Sequence, residues 1–257
     1  MEKLKKTSVF LNGIYSILPA VILIIIILAF WQIYCIGGNV PEWQLPSPKG
    51  ILQACFLNFS ESLPYLASTY FCIFIGFLLS IVVGIAFALI LSNSRILAAA
   101  LTPIIVVFCC VPMVTLVPLL LVSMGTGPAP KIITIVIQCF PIINMNACVG
   151  FANVDKTRLE LMESLKATKF ESYRYCIFRD ALPSIFTGIR LASVLAMISG
   201  VTAELCGGSG GLGNQISSLL GLSKTSDAFG CLIYIIILGL VIYGIVSALE
   251  KRLTKGM

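Results

Sequence analysis

The chain has 257 residues, 58% of them hydrophobic and 11% charged, and its mean hydropathy is +1.03. Soluble domains carry about 25% charged residues, so water is excluded as the solvent on every side. The net charge of +6 does not indicate nucleic acid, because the basic residues sit at the ends of apolar runs instead of sharing one face.

A membrane-crossing helix needs about 20 predominantly apolar residues, and six runs meet that length: 14–36, 69–91, 98–122, 131–151, 184–206 and 230–249. The predicted fold is an all-α integral membrane protein of about six transmembrane helices. Lys3, Lys5 and Lys6 precede the first run, as in a secretory signal. Its apolar stretch is too long for a signal core and no small-x-small cleavage pattern follows, so it is expected to be retained as a span. The next segment, 37–68, contains Pro41, Pro46, Pro48 and Pro64 and an amphipathic stretch at 51–59 suited to the membrane surface.

Span two carries Gly76, Ser80, Gly84 and Ala88, a small residue at every fourth position. Residues four apart share a helix face, and small faces let helices approach closely in lipid. Close packing is therefore expected, within one bundle or between copies. Span three contains Pro103, Pro112 and Pro118. Interior prolines remove a hydrogen bond and kink a helix, which fits either a broken helix beside a water path or kinked packing alone. Span five repeats the small-residue spacing in Gly188, Ala192, Ala196 and Gly200, and continues it to Glu204. Glu204 is the one acidic residue placed inside a span, which makes it a candidate for a gate or pathway role. The alternative is a simple carboxylate at the outer interface. Arg190 is not its partner, since a separation of 14 positions puts them about 21 Å apart along a helix. The glycine run 207–213 that follows lacks the Gly-Lys-Ser/Thr ending of a phosphate-binding loop.

With the N-terminus inside, 13 of the 17 Lys and Arg residues fall on cytoplasmic segments, while Lys49, Lys131 and Lys224 fall outside. That asymmetry sets the orientation, with both termini cytoplasmic. Arg190 lies in span five near its inner end, within snorkelling reach of the headgroups. Ten cysteines are present without a C-x-x-C spacing, and there is no histidine. Zinc sites and His-based catalysis lose their commonest residue. No metal site and no catalytic residue is expected.

The inner segment at about 152–183 is the most charged part of the chain. Asp155 suits a helix N-cap, and Thr157-x-x-Glu160 would form a capping box two residues later. Leu159, Met162 and Leu165 then recur at helical spacing, giving a short helix with one apolar face suited to a partner's groove. Ala181-Leu182-Pro183 followed by Gly188-Ile189-Arg190-Leu191, with Ser164-Leu165-Lys166-Ala167-Thr168 upstream, resembles the permease subunits of binding-protein-dependent ABC importers, in particular the nitrate/sulfonate/taurine-type branch. Phe140-Pro141-Ile142, Ala203-Glu204 and Gly210-Gly211-Leu212-Gly213 extend the likeness, which runs from about residue 69 to the C-terminus. Aligned in this way, the family's hallmark Glu falls on Glu160. The two alanines after it are Leu161 and Met162, the hallmark glycine is Lys166, and the Ile-x-Leu-Pro ending is Cys176-Ile177-Phe178-Arg179. At Lys166 the turn is expected to use a conformation other than glycine's, or a smoother bend.

The resemblance implies a type I ABC importer permease-like bundle in the bacterial inner membrane, with 1–68 as an N-terminal span and outer loop and 69–257 as the permease core. Glu160, Ser164, Leu165, Lys166, Ala167 and Thr168 would couple to a dimer of cytoplasmic ABC ATPase subunits, which would bind ATP and Mg in place of this chain. An extracytoplasmic solute-binding protein would deliver a small solute, a sulfonate-, taurine- or nitrate-like anion or a vitamin precursor, to a homodimer of the chain. Glu160 retains a purely structural alternative, the closing of its own capping box. A self-sufficient secondary transporter or channel is the competing class. It would show paired intramembrane charges or repeated discontinuous helices, and the sequence shows a single Glu204 and no evident repeat.

Overall fold

The computed structural model describes residues 2–255, with side chains from Leu18 onward. Lys3, Lys5 and Lys6, which the charge count places at the inner end of span one, lie outside the residues whose side chains are described. The chain forms two compact units, one of residues 1–60 with 218–230 and the other of 61–217 with 231–257. Among the described residues all regular structure is helical. Five helices among the described residues are long and apolar enough to cross a membrane, and a bent pair makes a sixth.

In the first unit, α1 (Glu2–Gly37) holds the first apolar run. From Leu18 to Phe30 its side chains are exposed on every side. A helix apolar and exposed all round needs lipid as its solvent. Helix α2 (Pro48–Leu57) starts at Ser47, whose hydroxyl accepts the Gly50 N–H at 3.1 Å, with Pro48 in the first turn where its missing N–H costs nothing. Ile51 and Cys55 point inward while Leu52, Phe56 and Leu57 are exposed, so the stretch is amphipathic. Asn58 Nδ2 donates to Asp227 at 2.7 Å, and Thr225 Oγ1 donates to the Trp43 carbonyl at 2.9 Å, joining the two segments of this unit.

The second unit holds most of α3 (Phe59–Asn93), then α4 (Arg95–Cys110), α5 (Met113–Met124) and α6 (Pro128–Ala152). Short helices α7 (Lys156–Ser164) and α8 (Lys169–Ser172) and a π-helical turn (Tyr173–Ile177) lead into α9 (Phe178–Leu205). Helices α10 (Leu212–Gly221) and α11 (Thr225–Leu253) complete the order. Span three is α4 followed by α5, bent by 93° at Val111–Pro112. Proline has no N–H to continue the helix and pushes the residue before it out of the helical region. Val111 accordingly sits at φ −69°, ψ 119°. Pro103 and Pro118 lie inside α4 and α5 without breaking them. Span three is thus broken at one of its three prolines.

Helix α6 is the spine of this unit. Its residues Ile135, Cys139, Ile143 and Ala147, at every fourth position, are fully buried. A Cβ on Gly76 would lie 2.8 Å from the Ile135 Cβ, and one on Gly84 would lie 2.8 Å from the Ile143 Cβ. From the other side, a Cβ on Gly188 would lie 2.8 Å from the Asn146 Cβ, and one on Gly200 2.8 Å from Ile73 Cγ1 of α3. Ser80, Ala192 and Ala196 are likewise fully buried. The two small-residue stripes thus face neighbours inside the chain, where close backbone approach recovers the dispersion contacts that lipid cannot supply selectively. Replacing Gly84 by Leu is expected to destabilise the bundle by about 1–3 kcal/mol, read as a lower melting temperature in detergent. Gly244→Leu, where a Cβ would meet nothing within 4 Å, should leave it unchanged; equal shifts at the two sites would contradict this packing.

Candidate functional site

Two clusters lie at opposite ends of α9. At the end that the charge count assigns to the cytoplasm, Asp155 caps α7 by accepting the Thr157 N–H at 2.9 Å. The capping box expected at Thr157 and Glu160 does not form. It occurs eleven residues later, where Thr168 caps α8 and its N–H donates to Glu171 at 2.7 Å. Glu160 is left with an exposed side chain outside any cap. The connection between α7 and α8 is a helix-ending αL turn. The Lys166 N–H donates to the Glu163 carbonyl at 2.9 Å, and the Ala167 N–H to the Met162 carbonyl at 3.0 Å. This is the paired bonding that closes helices through a left-handed residue. Lys166 occupies that residue at φ 53°. The expectation of a different or smoother bend is therefore corrected: the lysine takes the conformation glycine favours, at a cost of roughly 1 kcal/mol.

The apolar face also differs from the spacing argument. Leu159 and Met162 are half-buried against the body, while Leu161, Leu165 and Phe170 are exposed at 58%, 68% and 72%. Leu161 and Leu165 are one turn apart and share a face. An ion pair between Arg158 and Asp180 ties α7 to the first turn of α9. Arg190, further along α9, does more than snorkel, since its Nη1 pairs with Glu250 of α11 at 3.1 Å.

At the other end, Glu204 is neither isolated nor at a wet interface. It is 1% exposed and pairs with Lys131, also 1% exposed, at 3.4 Å. Lys131 Nζ donates to the carbonyls of Ser209 and Gly210, each at 2.7 Å. The Glu204 carboxylate accepts the Thr69 hydroxyl at 2.9 Å and the Gly213 N–H at 3.0 Å, and Thr69 Oγ1 in turn accepts the Leu212 N–H at 2.8 Å. Four helices meet here: Thr69 of α3, Lys131 of α6, Glu204 of α9 and the first turn of α10. Each charge sits at the helix end that disfavours it, the cation in the opening turn of α6 and the anion in the last turn of α9. The carboxylate recovers part of that cost by facing the N-terminus of α10.

Sequence reasoning found Glu204 and missed its partners. Lys131 stands at the outer edge of span four, and its separation of 73 positions from Glu204 hides the pairing from any local pattern. Its signal was a lysine at the head of an apolar helix, where a cation needs a counter-charge. The glycine run is the loop that wraps this pair: Gly207, Gly210 and Gly211 have φ of 113°, 66° and 95°, values glycine adopts freely. A Cβ on Gly211 would overlap the Glu204 carboxylate. Among the described residues, no group of three His, Cys, Asp or Glu is placed to hold a metal ion.

Residues 76–255 match the family described as binding-protein-dependent transport system inner membrane component. The chain is similar to the nitrate import permease protein NrtB of Synechocystis sp., 29% identical over 262 residues that span 94% of this chain and 91% of the relative. It is similar as well to the putative aliphatic sulfonates transport permease protein SsuC of Bacillus subtilis, 28% identical over 243 residues, or 94% of this chain and 88% of the relative. In fold it is similar to a chain of the MetNI methionine ABC transporter in an inward-facing conformation. There the TM-score is 0.61 at 18% identity, covering 77% of this chain and 97% of that one.

Removing one member of a buried ion pair strands the other charge and costs about 3–5 kcal/mol. Lys131→Met is expected to lower the melting temperature strongly. Adding Glu204→Gln neutralises the stranded carboxylate and keeps an acceptor for the Gly213 N–H, so the double variant should melt higher than Lys131→Met alone. A double variant melting lower than both singles would show that the two side chains act independently.

Proposed function

We propose that this chain, which belongs to the binding-protein-dependent transport system inner membrane components, moves a small solute such as a nitrate-, sulfonate- or taurine-like anion or a vitamin precursor. The chain is the permease subunit of an ABC importer, a multi-pass component of the inner membrane with no catalytic role of its own. An ATPase and a binding protein are its partners. Support for the substrate class comes from the relatives named for nitrate and for aliphatic sulfonates.

The observation that carries the coupling role is the geometry of α7, the αL turn at Lys166 and α8. Leu161 of α7 and Leu165 at its C-cap stand exposed on one face, and Glu160 lies on the same segment free of any cap. In this reading Glu160, Ser164, Leu165, Lys166, Ala167 and Thr168 seat in a groove of the ATPase. Burying Leu161 and Leu165 there offsets the cost of fixing an exposed helix. The segment 152–183 belongs to a permease core of residues 69–257, preceded by a first span and outer loop in 1–68, and two copies of the chain enclose the path. Phosphoryl transfer takes place wholly in the ATPase, and alternating access follows from its different contacts with the loop in its ATP-bound and ATP-free states.

Paired buried charges are also what a self-sufficient transporter would display. In Lys131 and Glu204, however, each charge is committed to several protein partners and sealed from solvent, which favours a joint between elements over an ion-binding site. Extraction in mild detergent is expected to recover the ATPase subunit with this chain. Leu165→Asp should weaken that capture about tenfold, the equivalent of one lost apolar anchor of about 1.4 kcal/mol, and Glu160→Ala should reduce ATP-driven uptake with the melting temperature unchanged. ATP-independent uptake by the purified chain alone would contradict the importer reading.

A further inference from the structure

We infer that the loop 206–213 is an outer latch, set by Lys131 and Glu204, and that α9 releases it when the coupling loop moves. The inference rests on the importer reading and adds to it the residues that hold the outer side shut.

Glycines at 207, 208, 210, 211 and 213 leave the loop little conformational preference of its own. Its shape is imposed from outside. Lys131 grips two successive carbonyls, Ser209 and Gly210, while Glu204 and Thr69 hold the amides of Gly213 and Leu212. Burying such a pair adds little net stability over apolar residues of the same volume, because desolvation consumes most of the Coulombic gain. What it supplies is a single arrangement with discrete partners, held or not held.

The same loop grips a movable element. The Ser209 N–H and Oγ both donate to the Thr126 carbonyl, at 2.8 and 2.6 Å, across 83 residues of sequence. Thr126 lies in the short turn that ends α5. Helix α5 is the half of span three beyond the 93° break at Pro112, where no helical hydrogen bond carries the chain across. It is a short helix with the break at one end and the strap at the other, packed between them against α6 and α9 with Val117 fully buried.

Helix α9 connects this strap to the opposite face of the bundle. It runs unbroken from Phe178 to Leu205, 28 residues or about 42 Å. Its first turn is joined to α7 through the Arg158–Asp180 ion pair, and its last turn presents Glu204. A displacement of the coupling loop that shifts α9 along or about its axis moves the Glu204 carboxylate relative to Lys131 and Thr69. The loop then loses its anchors and with them its grip on the Thr126 carbonyl, so that the turn after α5 can part from the end of α9. Small shifts become a switch of state here because the anchors are discrete hydrogen bonds in a packed surround. In this account Lys131, Thr69 and Ser209 are positioning residues for the transport step, and none needs to touch the solute.

The test uses the assembled importer, this chain with its ATPase in phospholipid vesicles, with MgATP alone as the probe. Thr126→Cys with Ser209→Cys, in a chain whose exposed Cys109 and Cys110 are replaced by serine, allows the strap to be locked by oxidation. The locked form is expected to lose at least tenfold in ATP hydrolysis and to regain it on reduction. Ser209→Ala, which removes one strap bond from an exposed position, should raise hydrolysis without binding protein two- to threefold and leave the melting temperature unchanged. A purely structural loop would leave both hydrolysis rates at the wild-type value, and that result would overturn the latch alone. Absence of hydrolysis in the wild-type assembly would overturn the importer reading and the latch with it.

Discussion

The buried pair of Lys131 and Glu204 is the constraint on which the outer half of this bundle depends. Two helices meet there with their unfavourable ends charged, and neither charge reaches water. The arrangement is tolerable only because every polar atom around it is engaged: two loop carbonyls on the ammonium, and a hydroxyl and a backbone amide on the carboxylate. The identity of the loop follows from the same requirement. A carboxylate can approach the backbone at Gly211 only where no Cβ intervenes. Gly208, Gly211 and Gly213, where an added Cβ would meet Lys131 or Glu204, thus form a socket for the charge pair.

Around this joint the bundle is organised by α6. Its fully buried row of Ile135, Cys139, Ile143 and Ala147 faces glycines and alanines from α3 on one side and α9 on the other. In lipid no hydrophobic force drives helices together, so close approach at small residues has to supply the contact energy. The same packing makes α9 a stiff element. Each of its two ends carries an ion pair to another element, Asp180 with Arg158 at one end and Glu204 with Lys131 at the other. Membership of the ABC importer family gives that stiffness a use, since the energy source lies on one side of the membrane and the solute arrives on the other.

Much of this was legible from the chain alone, for definable reasons. Apolar length and the placement of Lys and Arg depend on the bilayer rather than on tertiary contacts, so the spans emerge from composition. The spacing of Gly76, Ser80 and Gly84 and of Gly188, Ala192 and Ala196 is periodic, and periodicity names a face without naming what lies on it. The break in span three was foreseen only as a possibility among three prolines. Pro112 alone breaks the helix, because Val111 before it leaves the helical region, whereas Pro103 and Pro118 are accommodated within their helices. The inner segment 152–183 departs from its sequence pattern for local reasons. Asp155 takes the N-cap of α7 and leaves Thr157 and Glu160 inside the helix, Thr168 with Glu171 caps α8 instead, and Lys166 accepts an αL conformation that its residue type rarely adopts. The partner of Glu204 was beyond reach of any local argument, since only the fold brings Lys131 beside it.

The central claim is that the joint at Glu204 holds the glycine loop in the resting importer and lets it go when ATP is bound. Hydrogen exchange of the amides at Leu212 and Gly213, which donate to Thr69 and Glu204, measures this directly. The assembled importer would be compared free of nucleotide and trapped with ATP and vanadate. Protection of these amides should fall at least tenfold in the trapped state while that of the α6 core amides is unchanged. Equal protection in both states would contradict the account.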